Sequence, residues 1–282
     1  AGIALNEGGM NLVREGRIAF VGVEVTQKTP LWVRLTVRGL SQHGSVPKGN
    51  SAPARLIRAL GRILDWETEA RIDRVVGRFF KAIAPFYEAP FGPALLELSA
   101  TDAGIVLEAD DPAINLLSPF FRSLTRNTLS LTVLNGGEII NVVPDQATAE
   151  LDCRLLPGED PEVFLDQLRE VIRDPAIQIE VILTFRSSRA PEESEVFDSI
   201  RRATARFEPD AVVGISVLPG FTDSHILREK GISAYGFSPF RIEETQPTGT
   251  HSRDEKISLE DLSFGLDYFF AVVSDLVWEE KR

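Results

Sequence analysis

Several residue types and patterns are scarce in this chain, and each absence excludes a class of protein. A single cysteine, Cys153, excludes an internal disulfide, and the alternating run from Ala147 to Leu155 predicts a buried strand thiol. No apolar run reaches the roughly 18 residues of a membrane span, and no secretory leader is visible, so we expect a cytoplasmic protein without a membrane partner. The net charge of −12 offers no basic excess for nucleic acid.

What is present is the composition of an ordinary globular protein, with 43% apolar and 26% charged residues. The 282 residues suffice for two domains or for one large α/β domain. Polar, proline-containing connectors at Thr26 to Pro30 and at Ser187 to Ser194 predict two boundaries. The chain opens without methionine on an apolar run that ends in Asn6-Glu7-Gly8-Gly9, and we interpret it as the C-terminal portion of something longer.

Between these connectors the pattern predicts a two-layer α+β module with helices on one face of an antiparallel sheet. Leu31 to Arg38 alternates as a strand, and Ser51 is a candidate N-cap for the helix that follows. Residues 72–119 are proline-rich and read as a partly helical insertion that enlarges the module. Beyond Ser194 an α/β pattern has too few strands for a sheet, and the segment before Leu31 adds one or two. A capping box at Ser258 predicts the final helix.

Only three histidines occur, and two of them stand in segments that suit chemistry. His251 lies three residues ahead of Asp254-Glu255, where imidazole suits Zn²⁺ and a carboxylate fixes the tautomer. His43 follows an alternating strand and precedes small residues, which suits a donor to a developing oxyanion. A surface histidine beside acids and a turn histidine at a strand end explain the same two segments, and neither alternative is excluded by the local sequence.

Three further positions carry similar ambiguity. Asn141 before Val-Val-Pro is either a polar site residue or a turn residue that bonds its own backbone. Arg154 either binds a carboxylate through its planar fork or lies on a solvated strand face. Thr222 stands at a strand-to-helix junction, which is able to hold an anion or simply to cap the helix.

The order of the motifs along the chain is more specific than any one of them. It resembles the M20 metallopeptidases, a family that includes aminoacylases, glutamate carboxypeptidases and carboxypeptidase S-like enzymes. The segments that carry this resemblance are Asn6-Glu-Gly-Gly, Gly39 to Ser45, Asn141-Val-Val-Pro, Asp152-Cys-Arg154, Gly220-Phe-Thr-Asp, Gly231 to Phe237 and His251-Ser-Arg-Asp-Glu. The resemblance implies an α/β catalytic-domain remnant, residues 1–30 and 187–282, with an inserted α+β two-layer lid or dimerisation domain, residues 31–186.

The resemblance also implies roles for the candidate residues. His251 matches the family's final metal-ligand histidine, and Asn6 stands where a carboxylate ligand is usual, although an amide oxygen is a weaker donor for Zn²⁺. Glu7 cannot simply replace Asn6, because neighbouring strand residues face opposite ways. His43 matches the lid histidine that reaches across a dimer to polarise the scissile carbonyl, with Asn141 as its companion. The positions of Arg154 and Thr222 match residues that hold the substrate carboxylate.

The family's N-terminal half, with its His-x-Asp motif and the Glu that activates a metal-bound water, has no counterpart in these residues. We therefore expect a zinc-dependent hydrolase of amide or peptide bonds in small amino-acid-derived substrates, with two zinc ions in the intact parent and a homodimer formed through the lid. By itself this chain is expected to be inactive and metal-free. The competing hypothesis is a non-catalytic M20-fold protein that serves dimerisation or binds an amino-acid-like ligand, and Asn6 favours it.

Overall fold

The computed structural model describes residues 2–46, 49–100, 104–108, 110–242 and 253–278. In chain order the strands are β1 (Ile3–Asn6), β2 (Met10–Arg14), β3 (Arg17–Gln27), β4 (Thr29–Arg38), β5 (Gln42–His43), β6 (Ala70–Arg71), β7 (Val106–Leu107), β8 (Thr128–Asn135), β9 (Val142–Val143), β10 (Gln146–Leu155), β11 (Ile177–Thr184), β12 (Val212–Leu218) and β13 (Ser233–Gly236). The α-helices are α1 (Ala52–Leu64), α2 (Arg74–Ile83), α3 (Phe91–Ser99), α4 (Pro112–Leu116), α5 (Pro119–Ser123), α6 (Pro161–Ile172), α7 (Glu195–Phe207), α8 (Ser224–Glu229) and α9 (Leu259–Trp278).

A five-stranded mixed sheet has the order β1-β13-β3-β12, and β2 also pairs with β3. The β1–β13 and β3–β12 pairs are parallel, whereas β2 is antiparallel to β3. The segment before Lys28 therefore supplies three strands to this sheet, where the sequence pattern predicts one or two. Among the described residues β1 has a strand partner on one side only, so it forms an edge of the sheet.

The second sheet is antiparallel, with the order β11-β4-β10-β8. Its core face is covered by α1 and α6, whose Leu56 and Phe164 belong to the same buried cluster as Leu35 and Ala149. The thiol of Cys153 is buried in that cluster, which confirms its interpretation as a core residue. This is the two-layer arrangement that the sequence pattern predicts, and the use of the module as a lid stays a prediction.

The helices of the insertion pack mainly on the five-stranded sheet. The ring of Phe79 on α2 lies 6.2 Å from that of Phe20 on β3 and 6.1 Å from that of Phe121 on α5. All three side chains are buried in the core that also contains Val196 of α7. This differs from the expectation that the insertion enlarges the lid. The physical reason is that the apolar face of α2 is buried against β3 and β12 instead of the four-stranded sheet.

The helix ends show how local sequence positions the elements. Helix α6 begins at Pro161, and the side chain of Asp160 accepts a hydrogen bond from the Glu162 amide. At the start of α9 the Asp261 amide donates to Ser258 Oγ at 2.9 Å, which confirms the predicted cap. Ser51 occupies the N-cap position of α1, but its side chain makes no capping hydrogen bond. Within the described ranges, no helix has the length and apolar content that a bilayer span needs.

Candidate functional site

The strand end at Asn6 meets the loop that follows β12. The Asn6 amide donates from Nδ2 to Ser224 Oγ at 3.1 Å, and its backbone carbonyl accepts from the Phe237 amide at 3.1 Å. Asn6 lies opposite Gly236 on β13, and Gly236 in turn lies opposite Glu24 on β3. A polar row therefore crosses the sheet at the carboxyl end of β1, where the motifs of the sequence begin.

Glu24, at the end of this row, belongs to a buried ion pair that the sequence analysis missed. Arg228 of α8 donates from Nη2 to Glu24 Oε1 at 2.9 Å, and both side chains are almost completely buried. Burial raises the pKa of Glu24, and the charge of Arg228 offsets part of this effect. Gly236 makes room for the carboxylate, because a Cβ there would lie 2.7 Å from Glu24 Oε2. The signal in the sequence was a glutamate inside the apolar run of β3, since a charge there needs a partner.

Thr222 is held within its loop rather than presented freely. Its amide and hydroxyl donate to Gln27 Oε1 at 3.2 and 3.3 Å, and the Ser224 amide donates to its hydroxyl oxygen at 3.3 Å. The side chain is buried, with 8% of the residue exposed. Gln27 ends β3, so these bonds join the loop to the point where the chain leaves the five-stranded sheet.

His43 and Asn141 are brought together by the short β5–β9 pair, in which His43 lies opposite Val142. The Gly44 amide donates to the Asn141 carbonyl oxygen at 2.7 Å. The Ser45 amide donates to His43 Nδ1 at 3.2 Å, and the Ser45 hydroxyl oxygen lies 2.8 Å from the same nitrogen. A neutral ring that accepts at Nδ1 carries its proton on Nε2, and because His43 is exposed such a ring offers the N–H donor that an oxyanion-stabilising group requires.

Arg154 has strong partners on its own strand. Its Nε and Nη2 donate to the two carboxylate oxygens of Asp152 at 2.6 and 2.8 Å, and Trp32 Nε1 donates to the same carboxylate at 2.8 Å. The guanidinium also lies 4.9 Å from the ring centre of Phe221, the residue before Thr222. The structure thus brings Arg154 to the Thr222 loop, with half of its planar fork already used by Asp152.

His225 was not singled out in the sequence, although it follows the Thr222 motif by three residues. Its Nδ1 donates to the Thr222 carbonyl oxygen at 2.7 Å, and its ring stacks on Phe185 with centres 3.6 Å apart. The neutral ring therefore has its lone pair on Nε2, the opposite arrangement to His43. The feature of the sequence that pointed to His225 was the scarcity of histidine, of which the chain has three.

The predicted metal ligands are not tested by this geometry. His251 lies outside the described residues, and Asn6 directs its amide nitrogen to Ser224. Glu7 is exposed beside Asn6 and lines an apolar cavity of about 360 Å³ together with Phe240 and Phe269. Within the part of the chain that the structure describes, no three His, Cys, Asp or Glu side chains are grouped to hold a metal. The described residues alone do not fit a zinc site.

The part of the chain that contains most of the four-stranded sheet matches a known protein family. The model of the peptidase dimerisation domain family matches residues 25–180, just over half of the chain. The chain belongs to the M20 peptidase dimerisation-domain family. Its match covers β4, β8 and β10 and the first half of β11, together with α1 and α6. It also includes His43, Asn141 and Arg154.

The similarity to individual M20 proteins is distant but extends over most of the chain. Probable carboxypeptidase S-like 2 of Dictyostelium discoideum is 23% identical over 92% of this chain and 48% of its own length. N-fatty-acyl-amino acid synthase/hydrolase PM20D1 of Xenopus tropicalis is 25% identical over 92% of this chain and 49% of its own length. The M20 family metallo-carboxypeptidase Sso-CP2 of Sulfolobus solfataricus shares the fold with a TM-score of 0.61 and 17% identity, over 95% of this chain and 63% of that chain. The chain thus spans about half the length of these curated relatives.

Proposed function

We propose that this chain is part of an amide-bond hydrolase that acts on small amino-acid-derived substrates, either peptides or N-acyl amino acids. The observation that carries the proposal is His43, an exposed imidazole whose Nδ1 accepts from the Ser45 amide, which leaves Nε2 as the ring's donor. The relatives named as a carboxypeptidase and as an N-fatty-acyl-amino acid synthase/hydrolase support the same bond type.

In this proposal His43 stabilises charge at the reacting carbonyl. A carbonyl oxygen gains negative charge when its carbon is attacked, and a fixed N–H donor about 3 Å away stabilises that charge without reorganising. Asn141 is placed beside His43 by the Gly44–Asn141 backbone bond and offers a second polar side chain. Both are exposed on the four-stranded module, so the substrate has to approach this face.

Substrate carboxylate binding is assigned to Arg154 with Thr222. Two donors of Arg154 hold Asp152, and Nη1 has no hydrogen-bond partner among the described residues, so it remains for a ligand. The Thr222 hydroxyl is in the loop that Arg154 approaches through Phe221. The arrangement suits one carboxylate, as in an amino acid or the end of a peptide.

Zinc dependence is part of the proposal for the intact protein, with His251 and Asn6 as ligands from this chain and two ions in all. Zinc would polarise the carbonyl and supply an activated water when bound. Because Asn6 is an amide rather than a carboxylate and already donates to Ser224, we propose that the chain alone is inactive.

We further propose a division into residues 1–30 and 187–282, which form part of a catalytic domain, and residues 31–186, which form the lid apart from the insertion near residues 72–119 that packs on the five-stranded sheet. A homodimer through the lid follows from the family's role in peptidase dimerisation. Strand β8 is an edge of the four-stranded sheet and exposes Val133 and Leu134, with 38% and 54% of each residue accessible. An exposed apolar edge strand is suited to pairing with a second copy.

A non-catalytic M20-fold protein is the second candidate, and Asn6 favours it. An amide that already donates to Ser224 is a poor substitute for a carboxylate ligand. Arg154 and Thr222 would then bind an amino-acid-like ligand without turnover.

The test begins with the intact mass of the native protein and the DNA sequence upstream of Ala1, which define the polypeptide to assay. We expect that polypeptide to bind zinc and to hydrolyse dipeptides or N-acyl amino acids. His43→Ala should lower kcat by about 10²-fold to 10³-fold, whereas Leu40→Ala, an exposed change on the same segment, should not. Zinc binding without turnover would favour the non-catalytic candidate, and turnover with stoichiometric zinc in the 282-residue chain alone would overturn its proposed inactivity.

A further inference from the structure

The helical insertion contains an open apolar cavity that takes no part in the site described above. Its volume is about 700 Å³, within the range of small-molecule sites. One wall is the start of β2, at Met10 and Asn11. The opposite wall consists of aromatic and aliphatic side chains of the insertion, which are Tyr87, Phe91, Leu116, Leu117, Phe120 and Phe121.

Both walls are held by contacts that do not require a ligand. Phe91 packs edge-on against Tyr87 and Phe121, with ring centres 4.9 and 5.2 Å away, and Phe121 is anchored in the core. Asn11 Nδ2 donates to the carbonyl oxygens of Ser238 and Phe240 at 2.8 and 2.9 Å, which fixes the β2 wall. A preformed cavity binds a ligand without a large ordering cost.

The lining favours an apolar ligand over a charged one. Leu116 and Phe120 expose 45% and 39% of their surfaces, so a ligand that covers them removes apolar area from water. Of the described residues, those that line the cavity include no charged side chain. An ionic group would therefore remain at the mouth rather than enter.

The guanidinium of Arg14 lies next to Tyr87, one of the residues that line the cavity. The guanidinium carbon of Arg14 lies 5.4 Å from the ring centre of Tyr87, and Arg14 ends the strand that begins at Met10. We propose that the cavity binds a long-chain carboxylate, with its aliphatic chain between Phe91, Phe120 and Leu116 and its head group at Arg14. This binding site stands independently of amide hydrolysis.

The test is calorimetric titration of the purified chain with octanoate, dodecanoate and hexadecanoate as monomers. Each added methylene should tighten Kd about fourfold until the cavity is filled, which corresponds to about 0.8 kcal/mol per buried CH₂. Dodecanol should bind more weakly than dodecanoate, and Arg14→Ala should remove that difference because the charged contact is lost. An N-dodecanoyl amino acid serves as the comparison for a larger head group, and the proposal requires it to bind no more tightly than dodecanoate.

Matched variants locate the ligand. Leu116→Glu places a carboxylate in the cavity and should weaken dodecanoate binding about tenfold or more. Leu96→Glu is the control, because Leu96 lies on α3 of the same insertion, is similarly exposed at 47%, and does not line the cavity. Circular dichroism checks that both variants fold.

Four results would overturn the proposal. They are the absence of saturable binding for every chain length, tighter binding of the N-dodecanoyl amino acid than of dodecanoate, an equal loss of affinity in both glutamate variants, and a doubled mass in light scattering that Leu116→Glu abolishes. The last would identify the cavity as a self-association surface.

Discussion

Replacing Arg228 by methionine should destabilise this protein far more than replacing an exposed arginine. The side chains of Glu24 and Arg228 are 0% and 2% exposed, so the substitution leaves a carboxylate without its counter-ion in the core. Breaking such a buried pair typically costs about 3–5 kcal/mol. The methionine side chain replaces the aliphatic stem of arginine, which limits the packing loss, while the hydrogen bonds of Arg228 to the Ala234 carbonyl oxygen are lost together with the charge.

The stability lost in the Arg228→Met variant should depend on pH, and the burial of Glu24 determines the direction of this dependence. Burial raises the folded-state pKa of Glu24 above its usual value of 4.5, and loss of Arg228 raises it further. Between the unfolded and folded pKa values the folded chain binds more protons, so stability falls as pH rises through this range. The Arg228→Met variant should therefore lose less stability at about pH 5 than at about pH 8.

Urea denaturation at both pH values measures the effect, and Arg169→Met provides the control. Arg169 donates to Asp166 at 2.6 Å on the surface of α6, with 53% and 74% of the two side chains exposed. Such pairs contribute about 0.2–1 kcal/mol. Adding Glu24→Gln to Arg228→Met should restore part of the stability and remove the pH dependence. An equal cost at both pH values, or a cost no larger than that of Arg169→Met, would refute the reasoning.

Two further predictions concern buried titratable groups. Burial lowers the pKa of Lys28 to about 7, whereas the pKa of an unfolded lysine is about 10.4. The folded chain therefore binds fewer protons than the unfolded chain between these values, and the free energy of unfolding should rise with pH across this range. The Lys28→Met variant should lose that rise in urea titrations, and an unchanged pH profile would argue against it. Burial raises the pKa of Cys153 to about 12, so a thiol reagent should label the chain only after denaturation. Rapid labelling of the folded chain would contradict this.

Local patterns predicted individual elements better than they predicted sheet membership. The alternation of Leu31 to Arg38 and the cap at Ser258 correspond to β4 and the start of α9. The sequence pattern assigns the insertion to the lid, whereas it packs on the five-stranded sheet. The pattern does not distinguish the two, because an apolar stripe such as Val75, Val76 and Phe79 fits either sheet. Which sheet it covers depends on long-range packing against Phe20 that no local period records.

In the candidate site too, local patterns identify single residues but not the long-range contacts that bring them together. The sequence singled out His43 and Asn141 separately, and the β5–β9 pair that joins them is too short to have a periodic signature. The pairing of Arg154 with Asp152 was visible as i, i+2 spacing on one strand face, but the stacking on Phe221 depends on how two sheets meet. The buried partner of Glu24 lies on α8, whose position no pattern near β3 reveals.

The residues predicted to bind a substrate carboxylate also join the two sheets. Arg154 belongs to the four-stranded sheet and reaches Phe221 after β12, while Thr222 is bonded to Gln27 where the chain leaves β3. Lys28 Nζ completes the junction by donating to Thr128 Oγ1 at 3.0 Å and to the carbonyl oxygens of Ser123 and Arg126. A carboxylate bound at Nη1 of Arg154 would leave the Asp152 pair in place, and the guanidinium it contacts is the one that packs against Phe221 across the two sheets. We therefore expect ligand binding at this position to be coupled to the relative placement of the two sheets.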